Sequence, residues 1–323
     1  MVIAQLATIE SDYRTLIERC GLLDRSDRGK LALTGRDARS FLQGQVTNDV
    51  ERLSDGEGCY AAFLTSKGKM LGDLRVLASS EELLLDTERV ALQALFNMIR
   101  RFSVGHEVGL HKRTLERGLL SLIGPEAERT AGVEKLPAAE HSHRLTAVGG
   151  IEARAIRTES GLDLLCGVPE AEALAAALVE RGAPLVSEAA AECLRVERGR
   201  PRYGVDLDET VIPQEAGLNA RAVSFTKGCY VGQETVARLY YRGKPNRCLR
   251  GLRLSGPVAA GRQLLLGEKV VGRLTTVVDS PGFGPIGLAL VRREAGPGAA
   301  LSVAPDGDSA EVVELPFVSQ ARA

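Results

Sequence analysis

Apolar and polar positions follow a helical period in several segments of the chain. Apolar residues recur at the spacing of one helix face, which predicts amphipathic helices over residues 3–20, 36–46, 86–101, 169–181 and 187–198. Asp86 and Thr87 stand at the start of the third segment and Ser187 at the start of the last, where each is expected to cap its helix. The N-terminal two thirds is therefore predicted to be rich in helix.

Other segments alternate with the period of a strand or form short apolar runs. These predict strands over residues 29–34, 57–65, 69–78, 106–112, 119–123, 151–158 and 162–165. Ser66, Lys67 and Gly68 separate two of these runs and indicate a hairpin. Residues 126–144 are polar and irregular, so they are interpreted as a surface connection. Helices mixed with strands in this way indicate an α+β fold.

The texture changes after residue 243. Short apolar runs split by Gly and Pro cover residues 249–254, 263–266, 269–278, 286–292, 300–303 and 312–318. Regular short strands with turn residues between them are typical of a small antiparallel β-barrel or sandwich. The predicted organisation is an α+β unit over residues 1–243, followed by an all-β unit over residues 244–323.

Charge and composition exclude several classes of protein. The formal net charge of −1 over 323 residues provides no global field for nucleic acid or an anionic membrane. No apolar stretch approaches the roughly 18 residues that a membrane-spanning helix needs, and no basic leader precedes an apolar block. The six cysteines are scattered without a C-x-x-C pair, so neither a metal site nor a resident cluster is expected. A cytoplasmic protein with reduced thiols is expected.

Two motifs imitate functional sites. Residues 282–287 read GFGPIG and match a dinucleotide-binding pattern, but a proline lies inside it and no long helix follows, so a turn is predicted. His141 and His143 form an H-S-H pair in the polar connection. Two imidazoles are too few for a metal site, and both are interpreted as surface histidines.

Residues 195–247 hold the densest mixture of glycines, aromatics, acids and bases. Glu197 ends a helix, where its carboxylate is suited either to two parallel N–H donors of a pterin or to a neighbouring arginine. Cys229 is either a reactive thiol activated by the ammonium of Lys227 or a buried small residue. The basic run from Arg238 to Arg247 suits carboxylates, RNA phosphates or plain solvation.

The eight residues 227–234 read KGCYVGQE and resemble the K-G-C-[YF]-x-G-Q-E hallmark of the YgfZ-type folate-binding proteins. Residues 34–49, 65–70 and 238–247 continue the resemblance, which covers nearly the whole chain. That family is similar in fold to the T-protein aminomethyltransferase of the glycine cleavage system. The resemblance implies two α+β lobes around a central channel, a C-terminal β-barrel, and a tetrahydrofolate ligand.

The resemblance also implies roles for individual residues. Cys229, Lys227 and Asp73 are expected to carry the chemistry. The folate is expected to be held by Glu197, Tyr203, Gln233, Arg238 and Arg242. One departure concerns the paired aspartates of the T-protein, because this chain has Gly72 where the first of the pair stands and keeps only Asp73.

The expected function is therefore tetrahydrofolate binding in support of the synthesis or repair of iron–sulfur clusters in client enzymes, including tRNA-modifying ones. The partners implied are folate and those client enzymes or assembly proteins, with no membrane. Two alternatives stay open. One is a folate-dependent aminomethyltransferase, which the missing second aspartate disfavours, and the other is a tRNA-binding module, which the near-zero net charge disfavours.

Overall fold

Helices and strands alternate along the residues that the computed structural model describes, which are 2–133, 136–305 and 307–317. The helices are α1 (Val2–Glu18), α2 (Ala38–Gln43), α3 (Leu92–Phe102), α4 (Ala127–Ala131), α5 (Val168–Glu180), α6 (Glu188–Glu197), α7 (Asn219–Ala222) and α8 (Gln233–Arg242), with a 3-10 turn at Arg89–Ala91. In the described part of the chain, no helix is long and apolar enough to cross a membrane.

The strands form two open sheets and a barrel. They are β1 (Gly21–Asp24), β2 (Gly29–Thr34), β3 (Gly58–Leu64), β4 (Met70–Ala78), β5 (Leu83–Thr87), β6 (Gly109–Lys112), β7 (Arg117–Ile123), β8 (His143–Val148), β9 (Ile151–Thr158), β10 (Gly161–Gly167), β11 (Arg247–Leu254), β12 (Gln263–Leu266), β13 (Lys269–Ser280), β14 (Gly284–Arg292), β15 (Ala300–Val303) and β16 (Asp308–Val313).

Each open sheet belongs to one lobe, and every strand pair in both sheets is antiparallel. The first lobe has the order β3-β4-β5-β2-β6, and the second has β1-β7-β10-β9-β8. β1 precedes the first lobe in the chain yet pairs with β7 in the second, residue Leu22 opposite Leu122. The chain therefore enters the second lobe, builds the first, and then returns.

The two sheets pack face to face, and their helices cover the outer faces. Ala32, Leu77 and Leu84 of the first sheet form one buried cluster with Leu119, Ile156 and Leu165 of the second. α2 and α3 close a core on the outer side of the first sheet, and α4 and α5 close one on the second. A sheet with apolar residues on both faces is expected for such a layered arrangement.

The barrel closes in the order β11-β14-β13-β12-β15-β16, with β16 pairing back to β11. Closure leaves no unpaired edge strand. The barrel packs against α6, through the cluster that Val196 forms with Leu249, Ile286 and Leu288. The barrel therefore forms a wall behind α6, and α6 is the helix that faces both lobes.

Much of this fold agrees with the sequence prediction. The α+β fold with a C-terminal antiparallel barrel is confirmed, and β11 begins at Arg247, close to the predicted boundary at residue 243. The hairpin β3–β4 is also confirmed. The turn predicted at 282–287 is confirmed at residues 282 and 283, whereas residues 284–287 already belong to β14. For the predicted strand at 312–318, β16 ends at Val313, and residues 318–323 lie outside the described residues.

Two local predictions are wrong. Asp86 and Thr87 do not cap a helix, because they lie in β5, and α3 begins only at Leu92. The supposed surface connection at 126–144 contains α4 and the start of β8, with residues 134–135 outside the described residues. In the first case, Asp86 and Thr87 are the last two residues of a fully buried strand that begins with three leucines at Leu83.

A buried charge network joins the two sheets where the apolar cluster ends. Arg75 of β4 donates from Nε to Asp86 at 2.7 Å and from Nη1 to Asp163 of β10 at 2.6 Å. Arg28 donates to the other oxygen of Asp86 at 2.9 Å, and Ser121 donates to the other oxygen of Asp163 at 2.6 Å. Each carboxylate thus has partners on both oxygens, which offsets its loss of solvation.

Replacing Arg75 by Met should therefore leave two buried carboxylates without their shared cation. We expect the free energy of unfolding at pH 7 to fall by about 3–5 kcal/mol, measured by chemical denaturation. The control is Arg250→Met, which removes a surface pair with Glu314 and should cost less than about 1 kcal/mol. Equal losses in the two variants would contradict the bridging role of Arg75.

Candidate functional site

A cavity of about 500 Å³ lies where the two sheets and α6 meet. Its walls come from β3 and β4 of the first lobe, from β7, β9 and β10 of the second, and from α6 and the loop that follows it. A volume in this range accommodates an organic ligand of cofactor size. This cavity is the first candidate site.

Arginines and carboxylates line the cavity in nearly equal numbers, and most of the arginines are already paired. The pairs are Arg25–Glu188, Arg28–Asp86 and Glu88, Arg75–Asp86 and Asp163, Arg195–Glu192 and Asp206, Arg200–Glu159, Arg202–Glu88, Glu188 and Glu192, and Arg221–Glu140. Paired charges hold the wall in place but have fewer donors left for a ligand.

Asp73 is a wall carboxylate without an arginine partner. It is buried, and its Oδ2 accepts a hydrogen bond of 2.7 Å from the hydroxyl of Tyr60. Burial raises the pKa of Asp73 to about 6, although the Tyr60 hydrogen bond and the charge of Arg28 act in the lowering direction. A carboxyl that titrates close to neutral pH is suited to accepting and releasing a proton at a ligand.

The position before Asp73 has no room for a second acid. A Cβ at Gly72 would lie 2.6 Å from two carbons of the Phe63 ring and 2.7 Å from the Cβ of Ala91. Phe63 is fully buried in the first lobe, so its ring has no space into which to move. The single carboxylate is therefore imposed by packing on the opposite face of β4.

Tyr203 lies on the cavity wall as well, partly buried, and its ring also packs against the core of the first lobe. Burial raises the pKa of its hydroxyl. Among the residues expected from the sequence, Asp73 and Tyr203 are the two that the described structure brings to the cavity.

Glu197 is not among the described residues that line the cavity. Its carboxylate accepts a 3.0 Å hydrogen bond from Tyr13 of α1 and another from Ser280 of β13. Burial raises its pKa, and those two hydrogen bonds act in the opposite direction. Its role in binding a pterin stays a prediction, and in this structure the carboxylate joins α6 to α1 and to the barrel.

Helical periodicity explains this placement. The face of α6 that carries Glu188, Glu192 and Arg195 lines the cavity. Cys193 and Glu197 are four positions apart on a different face, which packs against α1 and the barrel. The same helix therefore serves the cavity and the core with different residues.

The expectation that His141 and His143 are surface residues is wrong. Both are buried, with 6% and 3% of their surface exposed. Burial lowers the pKa of each to about 4. The segment around these two histidines lies between the lobes. Its polar sequence suggested an exposed position, but the charged residues near it form ion pairs inside the protein.

The KGCYVGQE segment forms a second candidate site, fastened to the first lobe. The ammonium of Lys227 donates to the carbonyl oxygens of Gln43, Val46 and Asn48 at 2.6, 2.7 and 2.8 Å. Burial lowers its pKa to about 8. All three ammonium protons are used in this way, so Lys227 holds in place the backbone at the end of α2 and just beyond it.

The N–H of Val231 holds the other end of the segment by donating to the carbonyl oxygen of Gly44 at 3.1 Å, and the next residue is Gly232. Its φ of +85° favours glycine, and a Cβ there would lie 2.5 Å from the carbonyl oxygen of Thr65 in the β3–β4 turn. Between the two anchors the backbone turns outward and leaves Cys229 exposed. Of the six cysteines, Cys20, Cys166 and Cys193 are buried, Cys59 and Cys248 are intermediate, and Cys229 is exposed.

The remaining expected binding residues lie on α8, which begins in this segment. Gln233 is at its first position, Arg238 pairs with Glu234 at the surface, and Arg242 ends the helix. In the part of the chain that the structure describes, no residue after Arg221 lines the cavity. The expected site residues thus divide between two places, the cavity and the KGCYVGQE segment with the helix α8 that begins in it.

Sequence reasoning did not identify Tyr60, Arg75 and His141 as cavity residues. Asp73 and Arg75 are two apart in β4 and therefore share a face, and Tyr60 is the cross-strand partner of Arg75. The alternation of side chains along β4 and the register of the hairpin could together have placed Tyr60 and Arg75 beside Asp73. For His141 the sequence held no comparable signal.

Known proteins resemble this chain over nearly its whole length. Residues 4–227 match the family described as the GCVT N-terminal domain. A Rubrobacter xylanophilus protein named Aminomethyltransferase is 32% identical over 98% of this chain and 88% of its own length. An Arabidopsis thaliana protein named as a chloroplastic transferase is 28% identical over 93% of this chain and 71% of its own. The crystal structure of the glycine cleavage system aminomethyltransferase T from Bartonella henselae shares the fold, with a TM-score of 0.86 over 97% of this chain and 90% of that one at 24% identity.

Removing the charge of Asp73 should stabilise the protein at neutral pH. Because the pKa of Asp73 is raised in the folded state from 3.8 to about 6, the folded protein holds an unfavourable buried charge above that pH. We expect the free energy of unfolding of Asp73→Asn at pH 7.5 to exceed that of the unaltered protein by about 2–3 kcal/mol. The gain should shrink as the pH falls through 6, measured by urea denaturation.

Asp86→Asn is the matched control, since Asp86 lies on the neighbouring strand. Burial raises the pKa of this carboxyl, but Arg28 and Arg75 outweigh burial and hold it well below its usual range. The stability that Asp86 contributes is present above the ordinary aspartate pKa and is lost as the pH falls toward the lowered value. Asp86→Asn should therefore destabilise at pH 7.5, and the same sign for both variants would contradict the assignment.

Proposed function

The chain belongs to the GCVT N-terminal domain family, and from that premise we propose that it is a cytoplasmic protein that binds a tetrahydrofolate in the cavity between its lobes. The bound folate serves the synthesis or repair of iron–sulfur clusters in client enzymes, including those that modify tRNA. Cys229 is the reactive group through which the protein acts on these clients. The cluster is cargo of that process and not a resident group.

The observation that carries the folate proposal is the chemistry of the cavity wall. The wall places an aromatic ring, Tyr203, in the same cavity as Asp73. The ring offers a surface for a flat heterocycle, and Asp73 offers a carboxyl oxygen beyond the one that Tyr60 occupies. Arg198, which donates to Ser160 and has no carboxylate partner among the described residues, suits the acidic tail.

Tetrahydrofolate supplies amine nitrogens that can carry a one-carbon unit. The part of the protein in that chemistry is to hold the ligand and to manage a proton. Asp73, with its pKa near 6, is a mixture of both forms close to neutral pH, and the hydroxyl of Tyr60 fixes the direction of its carboxyl. The paired arginines keep the surrounding wall rigid.

The exposed thiol supports the iron–sulfur part of the proposal. Cys229 is presented on a segment with both ends held, by the ammonium of Lys227 and by the N–H of Val231, which donates to the carbonyl oxygen of Gly44. Packing of the lobe does not require the sulfur, because Cys229 is exposed. A fixed backbone that presents a free thiol outward is suited to meeting another protein.

A folate-dependent aminomethyltransferase is the second candidate. The name of the Rubrobacter xylanophilus relative favours it, as does the titration of Asp73 close to neutral pH. The packing of Phe63 against Gly72 argues against it, because it excludes the second carboxylate that would orient an amine donor. Formation of methylenetetrahydrofolate from an aminomethyl donor by the purified protein would decide for this candidate.

Folate binding should depend on Tyr203 and not on aromatic residues elsewhere. We expect Tyr203→Leu to weaken tetrahydrofolate binding by about fivefold in calorimetric titration, because it keeps an apolar side chain but removes the ring. Tyr240→Leu, on exposed α8 outside the cavity, should leave the affinity unchanged. Failure of the unaltered protein to bind any tetrahydrofolate would refute the proposal.

Cys229 should be the first of the six thiols to react with iodoacetamide at neutral pH, as followed by mass spectrometry of the digested protein. It is exposed, whereas burial raises the pKa of Cys20 to about 11 and those of Cys59 and Cys193 to about 12. Faster labelling of any of these three would contradict the structure.

The same residue provides the test in the cell. We expect Cys229→Ser to bind tetrahydrofolate normally yet fail to restore iron–sulfur enzyme activity in a strain that lacks the protein. Cys248→Ser, at a half-buried barrel position, should restore it. Full rescue by Cys229→Ser would show that the sulfur is dispensable.

A further inference from the structure

His141 lies on the cavity wall in the segment between α4 and β8. Only 6% of the residue is exposed. The wall around it includes the guanidiniums of Arg75 and Arg221 and the carboxylates of Glu140 and Asp163. A buried imidazole in such polar surroundings is expected to form hydrogen bonds.

Neither ring nitrogen of His141 has a hydrogen-bond partner among the described residues. The nearest carboxylate oxygen, on Glu140, is 3.8 Å from Nε2 and accepts a hydrogen bond of 2.7 Å from Arg221. Two unpaired nitrogens in one buried ring cost free energy unless something else satisfies them. His141 is a lining residue of the cavity, and the polar capacity of its ring is not used by the fold.

His143 provides an internal comparison two residues away. It is equally buried, but its Nε2 lies 3.2 Å from the carbonyl oxygen of Glu57, and its Nδ1 lies 2.9 Å from Nη1 of Arg154. Both of its nitrogens are therefore occupied within the protein. The fold satisfies a buried histidine at one position and leaves the other unsatisfied.

The backbone holds His141 in place. Its φ is +69°, in the left-handed region that few residues other than glycine adopt. The residue also packs closely on β3, since a Cβ at Gly58 would lie 2.9 Å from both the Cβ and the carbonyl oxygen of His141. The ring is thus presented from a constrained position.

The protonation state of the ring defines the ligand chemistry that it can recognise. Burial lowers the pKa of His141 to about 4, and the charge of Arg75 acts in the same direction, so the imidazole is uncharged at neutral pH. An uncharged imidazole offers one N–H donor and one nitrogen acceptor. Such a pair complements a ligand with both donors and acceptors, whereas a carboxylate tail offers acceptors alone.

We propose that His141 is a ligand-binding residue of the cavity and pairs with the uncharged heterocyclic head of the ligand. The inference rests on the proposed function, in which that head is the reduced pterin of tetrahydrofolate. It adds a donor and an acceptor to the ring surface of Tyr203 and the carboxyl of Asp73. The acidic tail is then left to the arginines.

The first test compares matched variants by calorimetric titration with tetrahydrofolate. His141→Asn tolerates the left-handed backbone but is too short to replace the imidazole, so we expect binding to weaken by about tenfold. His143→Asn, with a histidine that is already paired, should change the affinity less than about twofold in folded protein. Two fragments locate the contact: His141→Asn should weaken binding of a tetrahydropterin and leave binding of p-aminobenzoylglutamate unchanged.

The second test does not depend on a variant that folds. The chain has four histidines, so their ring nitrogens can be resolved by long-range proton–nitrogen NMR. Saturating tetrahydrofolate should shift the His141 nitrogen signals and leave those of His143 in place. Unchanged His141 signals, together with unchanged affinity in His141→Asn, would overturn this inference while leaving folate binding intact. No binding by the unaltered protein would overturn the proposed function, and this inference with it.

Discussion

Arg75 donates to Asp86 of its own sheet and to Asp163 of the sheet that faces it, and the remaining structure depends on this bridge. Among the described residues, a small cluster of six buried side chains provides the apolar packing between the two sheets. Beyond that cluster the sheets are held by charges that have lost most of their water. Such buried charges are tolerated only when each is fully paired, here with partners from both sheets. This pairing requirement sets the distance between the lobes.

The cavity follows from the same constraint. Where the sheets separate beside α6, paired charges line the space together with apolar and aromatic side chains, and these solvated charges keep the space from closing into a core. Within this wall, Asp73 has a single hydroxyl partner at its carboxyl, and His141 has none at its ring nitrogens. Groups that the fold leaves unsatisfied are those with capacity for a ligand, at some cost in stability.

The KGCYVGQE segment, which carries Cys229, is a separate site on the first lobe. Lys227 and Val231 form hydrogen bonds with residues at the end of α2 and just after it, and Gly232 lies close to the turn of the β3–β4 hairpin. The same hairpin carries Tyr60 and Asp73 on its strands. The segment and the cavity are therefore built on the same supersecondary element.

Local periodicity in the sequence determined the hairpin, most of the strands, the helices α1, α5 and α6, and the β-barrel, because each depends on which face of a segment is apolar. The KGCYVGQE segment was recognisable from the order of its residues, because eight consecutive positions resemble the motif of a known family. The tertiary structure alone decided which charges meet. Asp86, predicted to cap a helix, lies in a strand between Arg28 and Arg75. Glu197 faces Tyr13 because α6 packs on α1 and the barrel, and His141 is buried because two lobes close around it. Contacts between residues far apart in the chain leave no period in either segment, so the sequence held no signal for them.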